Sequence, residues 1–286
     1  MPEQRPSTPL TDAVHRVGAP GRQLRYARVG QGRPLVLLHT LRTQLEYFQP
    51  LVERLDLSKF DVIAPDLPGH GESDAPPARY DAGHFADRVA ALLEALEVKD
   101  ALVVGESIGA TIALMLAARQ TPRIGSVVAL NPYDYGQWGG IRRSSGLANL
   151  LFTAMLWPGV GFVVARTGTR GILRRVMGGG LHDPAKLPEA LVADLYRCGA
   201  LPGHASAFRS LCLNWRSWIA ARDSYPQVRT PLTLVYADGD WSLPEDREAN
   251  RKLFPQARRH DLDHCGHFSC LERPEDIARI ISDVVA

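Results

Sequence analysis

The stretch ALVVGESIGATIA, Ala101–Ala113, decides the fold. Its first four residues form a short apolar run of the kind that makes a fully buried strand. From Ile108 to Ala118 the apolar spacing is helical. Between them stands Gly105-Glu106-Ser107-Ile108-Gly109, a G-x-S-x-G pattern at the point where strand becomes helix. Such a turn is sharp, and its small flanking residues let the chain bend so tightly that the serine hydroxyl projects above the end of the strand. The helix behind aims its first N–H groups at any charge that forms near Ser107.

The same alternation extends in both directions. Strands are expected at Leu24–Val29, Leu35–Leu38, Asp61–Ala64, Ala101–Val104, Ser126–Leu130 and Leu232–Tyr236, with a weaker one at Arg258–Leu262. Helices are expected over Tyr80–Leu96 and Pro274–Val285. Short apolar runs separated by helices predict an α/β fold, a mostly parallel central sheet covered by helices on both faces. From Asp134 to Tyr225 the rhythm stops, and prolines, the Gly178-Gly179-Gly180 turn and helical fragments replace it. The expected division is therefore a core of residues 1–133 and 226–286 with a helical insertion at 134–225. From Tyr135 to Tyr225 there are 11 basic and four acidic residues, a net +7, so within a chain of net charge +2 the remainder carries −5.

Composition narrows the function. At 286 residues, 45% hydrophobic and 22% charged, the chain has the profile of a soluble globular protein. The near balance of charge argues against a globally basic nucleic-acid binder. Four cysteines, with no CxxC pair, argue against a zinc ribbon or a disulfide scaffold and read as free thiols in a reducing cytoplasm. The amino terminus has no apolar signal region, so no secretory leader is expected. The uncharged stretch Leu147–Ala165 is long enough to span a membrane but is broken by Pro158, Gly159 and Gly161. It reads as a pair of buried or lid helices, with peripheral membrane contact left open.

A serine hydroxyl is inert at its free pKa and needs a base oriented by an acid. His267, in the turn before the last helix, is the expected base; His264 is the competitor. His260 reads as a strand-end residue, and His15, His84, His182 and His204 as surface or packing residues. Asp240, after the run Leu232–Tyr236, is the expected acid, with Asp238 in the same turn and Asp134 after the preceding strand as competitors. The group His260, Asp261, Asp263, His264, Cys265 and His267 also admits drawing as a metal cluster, but it falls on a strand end and a turn rather than a helix, and no metal is expected.

These residues sit within five ordered segments: LVLLHT (Leu35–Thr40), APDLPGHGESD (Ala64–Asp74), GESIG (Gly105–Gly109), YADGDWSLP (Tyr236–Pro244) and CGHFSCLERPE (Cys265–Glu275). Together they resemble the α/β-hydrolase-fold serine hydrolases, in the branch of small lid-bearing esterases and C–C bond hydrolases, across nearly the whole chain. The resemblance implies a helical lid after the sixth strand, the triad Ser107, Asp240, His267, no cofactor, and a structural rather than phosphate-binding role for Leu67–Asp74. It also implies an oxyanion hole from the Ile108 N–H and from the loop after the third strand, carried here by position onto Leu41 with Thr40 as the fallback. That family usually has glycine directly after the strand-end histidine; this chain has Thr40, whose hydroxyl is a further candidate donor.

Arg42 then lies close to the site, either gripping a substrate carboxylate or solvated. Trp241 and Tyr133 are candidate substrate contacts. Trp138, Trp157, Trp215, Trp218 and Tyr135 either line an apolar pocket or form the lid's own core. The expected activity is hydrolysis of a carboxylic ester, thioester or lactone of a lipophilic small molecule, neutral or anionic, through an acyl-enzyme on Ser107. The alternatives are C–C hydrolysis or perhydrolysis on the same triad, a ligand receptor on the same scaffold, and a structural protein without catalysis. A haloalkane dehalogenase or epoxide hydrolase is disfavoured, because those relatives carry Asp where Ser107 stands. The oligomeric state is not written in the sequence.

Overall fold

A computed structural model describes residues 9–135, 140–166 and 168–285. Trp138 and the first eight residues, on which part of the reading about a leader rests, lie outside the described residues. One eight-stranded sheet runs through the molecule. Its strands are β1 (Val14–Val17), β2 (Leu24–Gly30), β3 (Arg33–Leu38), β4 (Phe60–Pro65), β5 (Ala101–Glu106), β6 (Ile124–Leu130), β7 (Leu232–Ala237) and β8 (Arg258–Leu262). The order across the sheet is β1-β2-β4-β3-β5-β6-β7-β8. Only β1 on β2 and β2 on β4 are antiparallel, so the sheet is mostly parallel, as expected.

Strands β4, β5 and β7 are buried at every position, which is what helices on both faces of a parallel sheet require. The helix Ala82–Ala95 starts where Asp81 accepts a capping bond from the His84 N–H, two residues later than expected. The short edge strand β1 was not among the expected strands. It is mostly exposed and carries His15 and Arg16, so it has no apolar run to announce it.

Between β6 and β7 the described chain is helical and contains no strand. The apolar stretch of the insertion forms two helices, Gly146–Met155 and Val160–Arg166, parted at Pro158 and Gly159. Among the described residues no helix is long and apolar enough to cross a membrane. The last part of the insertion packs on the core: Trp218 lies against Phe85, and Tyr225 hydrogen-bonds Asp134. The parallel strands present their carboxyl ends to one edge of the sheet, below the insertion. The turns that follow β3, β5, β6, β7 and β8 therefore converge there.

Candidate active site

Ser107 occupies the turn between β5 and the helix Ile108–Ala118, with φ 58° and ψ −116°. That strained conformation costs on the order of 1–3 kcal/mol and persists only where the surroundings force it. The forcing is visible in the two glycines. A Cβ on Gly105 would lie 2.2 Å from the Gly109 carbonyl oxygen, and a Cβ on Gly109 would lie 2.1 Å from that of Leu38. Both positions therefore exclude any side chain. The Ser107 N–H donates to the Leu130 carbonyl at 2.9 Å, and the Ser107 carbonyl accepts from the Tyr133 N–H at 3.1 Å, so the turn is braced on β6.

Asp240 and His267 meet as expected. The His267 Nδ1 lies 2.5 Å from Asp240 Oδ1, with both side chains fully buried. The other Asp240 oxygen accepts from the Ser242 N–H at 2.9 Å and from the Ser242 hydroxyl. Burial pushes the Asp240 carboxyl up, but His267 and the Ser242 bonds outweigh it and hold it below the usual carboxylate range. The indole of Trp241 stacks on the imidazole at 3.9 Å and 17°. His267 Nε2 is buried and has no hydrogen-bond partner within the protein. A base with one nitrogen fixed by a carboxylate and the other unengaged is ready to accept a proton.

Three groups that the sequence does not single out hold the His267 turn in place, Glu106 and Asn131 against the ends of β5, β6 and β7 and Glu272 against the insertion. Glu106, next to the serine, accepts the Ser269 N–H at 2.6 Å through one oxygen and the Tyr47 hydroxyl through the other. Burial pushes the Glu106 carboxyl up to about 7, against the Tyr47 hydrogen bond, the nearby His267 and the Ser269 N–H. Asn131 donates to the His267 carbonyl at 3.3 Å and to the Ser269 hydroxyl at 2.9 Å, and accepts from the Ala237 N–H at 2.9 Å, joining the ends of β6 and β7 to the turn after β8. Glu272 accepts from the Gly266 N–H at 2.6 Å and from the His182 and Asp183 N–H groups of the insertion at 3.1 and 2.8 Å. The His267 N–H itself donates to the Gly180 carbonyl at 2.7 Å. No local motif marks these groups, because most of their partners lie far away in sequence.

The competing candidates sit elsewhere. Both oxygens of Asp134 are taken, by Tyr225 at 2.6 Å and Asn250 at 2.8 Å. Asp238 closes its own turn by accepting from the Gly239, His264 and Cys265 N–H groups. The His264 ring lies against His182. Among the described residues no three His, Cys, Asp or Glu side chains are grouped so as to hold a metal ion, and the four cysteines are free and buried.

The loop after β3 is fixed by a neutral histidine. His39 Nε2 accepts the Leu67 N–H at 2.9 Å, so Nδ1 carries the proton and donates to the Thr40 carbonyl at 2.8 Å. Burial lowers the His39 pKa to about 4, against the Thr40 bond that favours the charged form. The Thr43 hydroxyl also donates to the Thr40 carbonyl, at 2.8 Å. In a planar trans peptide the N–H points opposite to the carbonyl, so the Leu41 N–H faces away from this cluster. The Ile108 N–H, at the first turn of its helix, has no intrahelical acceptor. Leu67–Asp74 packs as structure: Asp66 accepts from Arg25, the Leu45 N–H and the Glu72 N–H, and Gly71, at φ 53°, leaves room for its carboxylate.

Beside these turns is an apolar cavity of about 130 Å³. Leu41, Arg42 and Phe268 form its core side; Phe152, Met155 and Leu173 are among the residues that close it from the insertion. Ser107 and His267 are not on its wall. Neither are Tyr133 and Trp241: Tyr133 packs on Tyr135, and Trp241 covers the imidazole. These two expected substrate contacts are thus placed behind and beside the site rather than in the cavity. Trp157 is exposed and Trp218 is buried against the core, so neither lines the cavity.

A family model described as the alpha/beta hydrolase fold matches residues 33–274. The chain belongs to the alpha/beta hydrolase fold family. It is similar to the 2-hydroxy-6-oxo-2,4-heptadienoate hydrolase of Pseudomonas putida, 24% identical over 268 residues that cover 90% of this chain and 91% of the relative. It is also similar to the dihydrolipoyllysine-residue acetyltransferase component of the acetoin cleaving system of Pseudomonas putida, 28% identical over 261 residues. That match covers 90% of this chain but spans only 65% of the relative's length. Among solved structures, a meta-cleavage product hydrolase (CumD) of Pseudomonas fluorescens superposes with a TM-score of 0.78 at 19% identity, covering 96% of this chain and 98% of that one. At that identity the superposition speaks for the alpha/beta hydrolase fold alone.

Proposed function

We propose that this alpha/beta hydrolase is a serine hydrolase that cleaves an ester, thioester or lactone of a lipophilic molecule through an acyl-enzyme on Ser107. The observation that carries the reading is the buried Asp240–His267 pair whose Nε2 has no partner, held against the strained turn that bears Ser107. His267 Nε2 takes the Ser107 proton as the oxygen attacks the carbonyl carbon. The Ile108 and Leu41 N–H groups receive the oxyanion, each donor being worth about 2.7–4 kcal/mol of barrier. As the carbonyl reforms, the bond to the leaving oxygen or sulfur breaks and His267 passes its proton to that atom. Water then attacks the acyl carbon, gives its proton to His267, and returns Ser107 as the acid departs. The pair does the proton transfers, so the cycle calls on no cofactor. The insertion acts as a lid whose apolar wall receives the lipophilic part.

A second reading, hydrolysis of a C–C bond in a diketone on the same triad, is supported by the relative that matches along 90% of the chain. A panel of neutral aryl esters of increasing acyl length, with thioester, lactone and diketone members, separates the two. The ester reading expects multiple turnover of an ester, falling on the order of 10⁶-fold in Ser107→Ala. Ester turnover that survives Ser107→Ala refutes the acyl-enzyme. A diketone cleaved with higher kcat/KM than every ester moves the assignment to the second reading.

A further inference from the structure

Arg42 is the charged side chain on the wall of the apolar cavity, and among the described residues it makes no hydrogen bond or ion pair. Its guanidinium carbon sits 4.6 Å above the centre of the Phe208 ring. The guanidinium is packed closely enough on the chain at Gly199 that a Cβ there would lie 3.2 Å from one of its nitrogens. Arg42 also borders a smaller adjoining space formed with Thr43, Gln44 and His70. Burial pushes its pKa down, and among the described residues no carboxylate forms an ion pair with it.

The contrast with Arg25 is instructive. That guanidinium is more deeply buried than Arg42, which is only partly buried, and it lies 2.5 Å from Asp66 and 2.9 Å from Glu46. A desolvated charge without a partner is expensive, and losing one partner of a buried pair typically costs several kcal/mol. Arg42 is a partly buried charge without an ion-pair partner among the described residues, on the wall of an apolar cavity and one residue from the Leu41 N–H. The backbone there is itself forced, with Arg42 at φ 62°.

We infer that Arg42 is a specificity residue that binds a carboxylate of the substrate, so that the preferred substrate is an amphiphile with an anionic group a few bonds from the reacting carbonyl and an apolar remainder lying against the insertion. The guanidinium supplies two parallel donors to a carboxylate, a geometry that a lysine ammonium does not match. The apolar remainder contacts Phe152, Met155 and Leu173. This deepens the proposed function and rests on its placement of the oxyanion donor at Leu41.

The experiment has a binding arm and a kinetic arm. In the binding arm, Ser107→Ala protein is titrated with a medium-chain carboxylate and with the alcohol of the same chain length, and thermal shifts are read. The carboxylate is expected to bind at least about tenfold more tightly than the alcohol, and the preference is expected to vanish when Arg42→Gln is added, with Arg42→Lys intermediate. Equal binding of acid and alcohol by the Ser107→Ala protein overturns the proposal without any change at Arg42. So does a carboxylate preference that persists after Arg42→Gln.

In the kinetic arm, wild type and Arg42→Gln are compared on the mono-aryl ester of a dicarboxylic acid and on its methyl-capped neutral counterpart. The ratio of kcat/KM for the two esters is expected to fall at least about tenfold in Arg42→Gln, mainly through KM. An unchanged ratio overturns the proposal. If no ester is turned over, the acyl-enzyme reading fails, and the binding arm still decides the role of Arg42.

Discussion

The turns at the edge of the sheet and the helices above them are built by opposite means. At the edge, polar groups and backbone contacts fix each position. Gly105 and Gly109 have no room for a side chain, Asp240 spends both oxygens, and Glu106 and Asn131 tie the ends of β5, β6 and β7 to the turn after β8. In the insertion, helices meet through Phe152 on Phe208 and similar apolar contacts, while Leu150, Trp157, Val160 and Phe162 face outward. One region is specified atom by atom and holds Ser107, Asp240 and His267 in fixed turns; the other is specified mainly by hydrophobic content. Reaction chemistry needs the first kind of constraint, and accommodation of a lipophilic substrate needs only the second.

The contrast is open to attack from both sides. After the loss already expected in Ser107→Ala, the next largest effect is expected from Asp240→Asn, which keeps the shape but removes the charge proposed to orient and stabilise protonated His267. It should lower kcat roughly 10⁴-fold while leaving the fold intact by circular dichroism. A loss of less than tenfold means that the carboxylate does not orient the base.

Next comes a paired measurement of thermal stability. Gly109→Ala drives a Cβ into the Leu38 carbonyl and should cost at least about 1–3 kcal/mol. Leu150→Ser, on the outer face of the insertion, should stay within about 0.5 kcal/mol of wild type. Equal losses at the two positions erase the distinction between the regions.

The same contrast explains what could be read from the chain. The strands from β2 to β8, the turn at Ser107, and the meeting of Asp240 with His267 were all legible. Buried parallel strands are written as continuous apolar runs, and the nucleophile's turn demands glycine at fixed spacing. The edge strand β1 was not legible, since it is short and exposed. Nor were Glu106, Asn131 and Glu272, because a buried polar group whose partners are brought to it only by the fold, as Ser269 is to Glu106, looks in sequence like any other polar residue. Tyr133 and Trp241 were assigned to the substrate on their aromatic character alone, and that character serves equally well for packing on Tyr135 or covering His267. Arg42 was legible as a residue near the site. Whether it had a partner was not, because that depends on every element folded around it.

The most direct measurement is the reaction of the native protein with a fluorophosphonate, with the adduct mapped by mass spectrometry and its formation rate compared in His267→Ala. A single adduct on Ser107, formed at least about a thousand times more slowly without the imidazole, is the predicted result. An adduct on another residue, or a Ser107 that reacts equally fast in His267→Ala, contradicts the account.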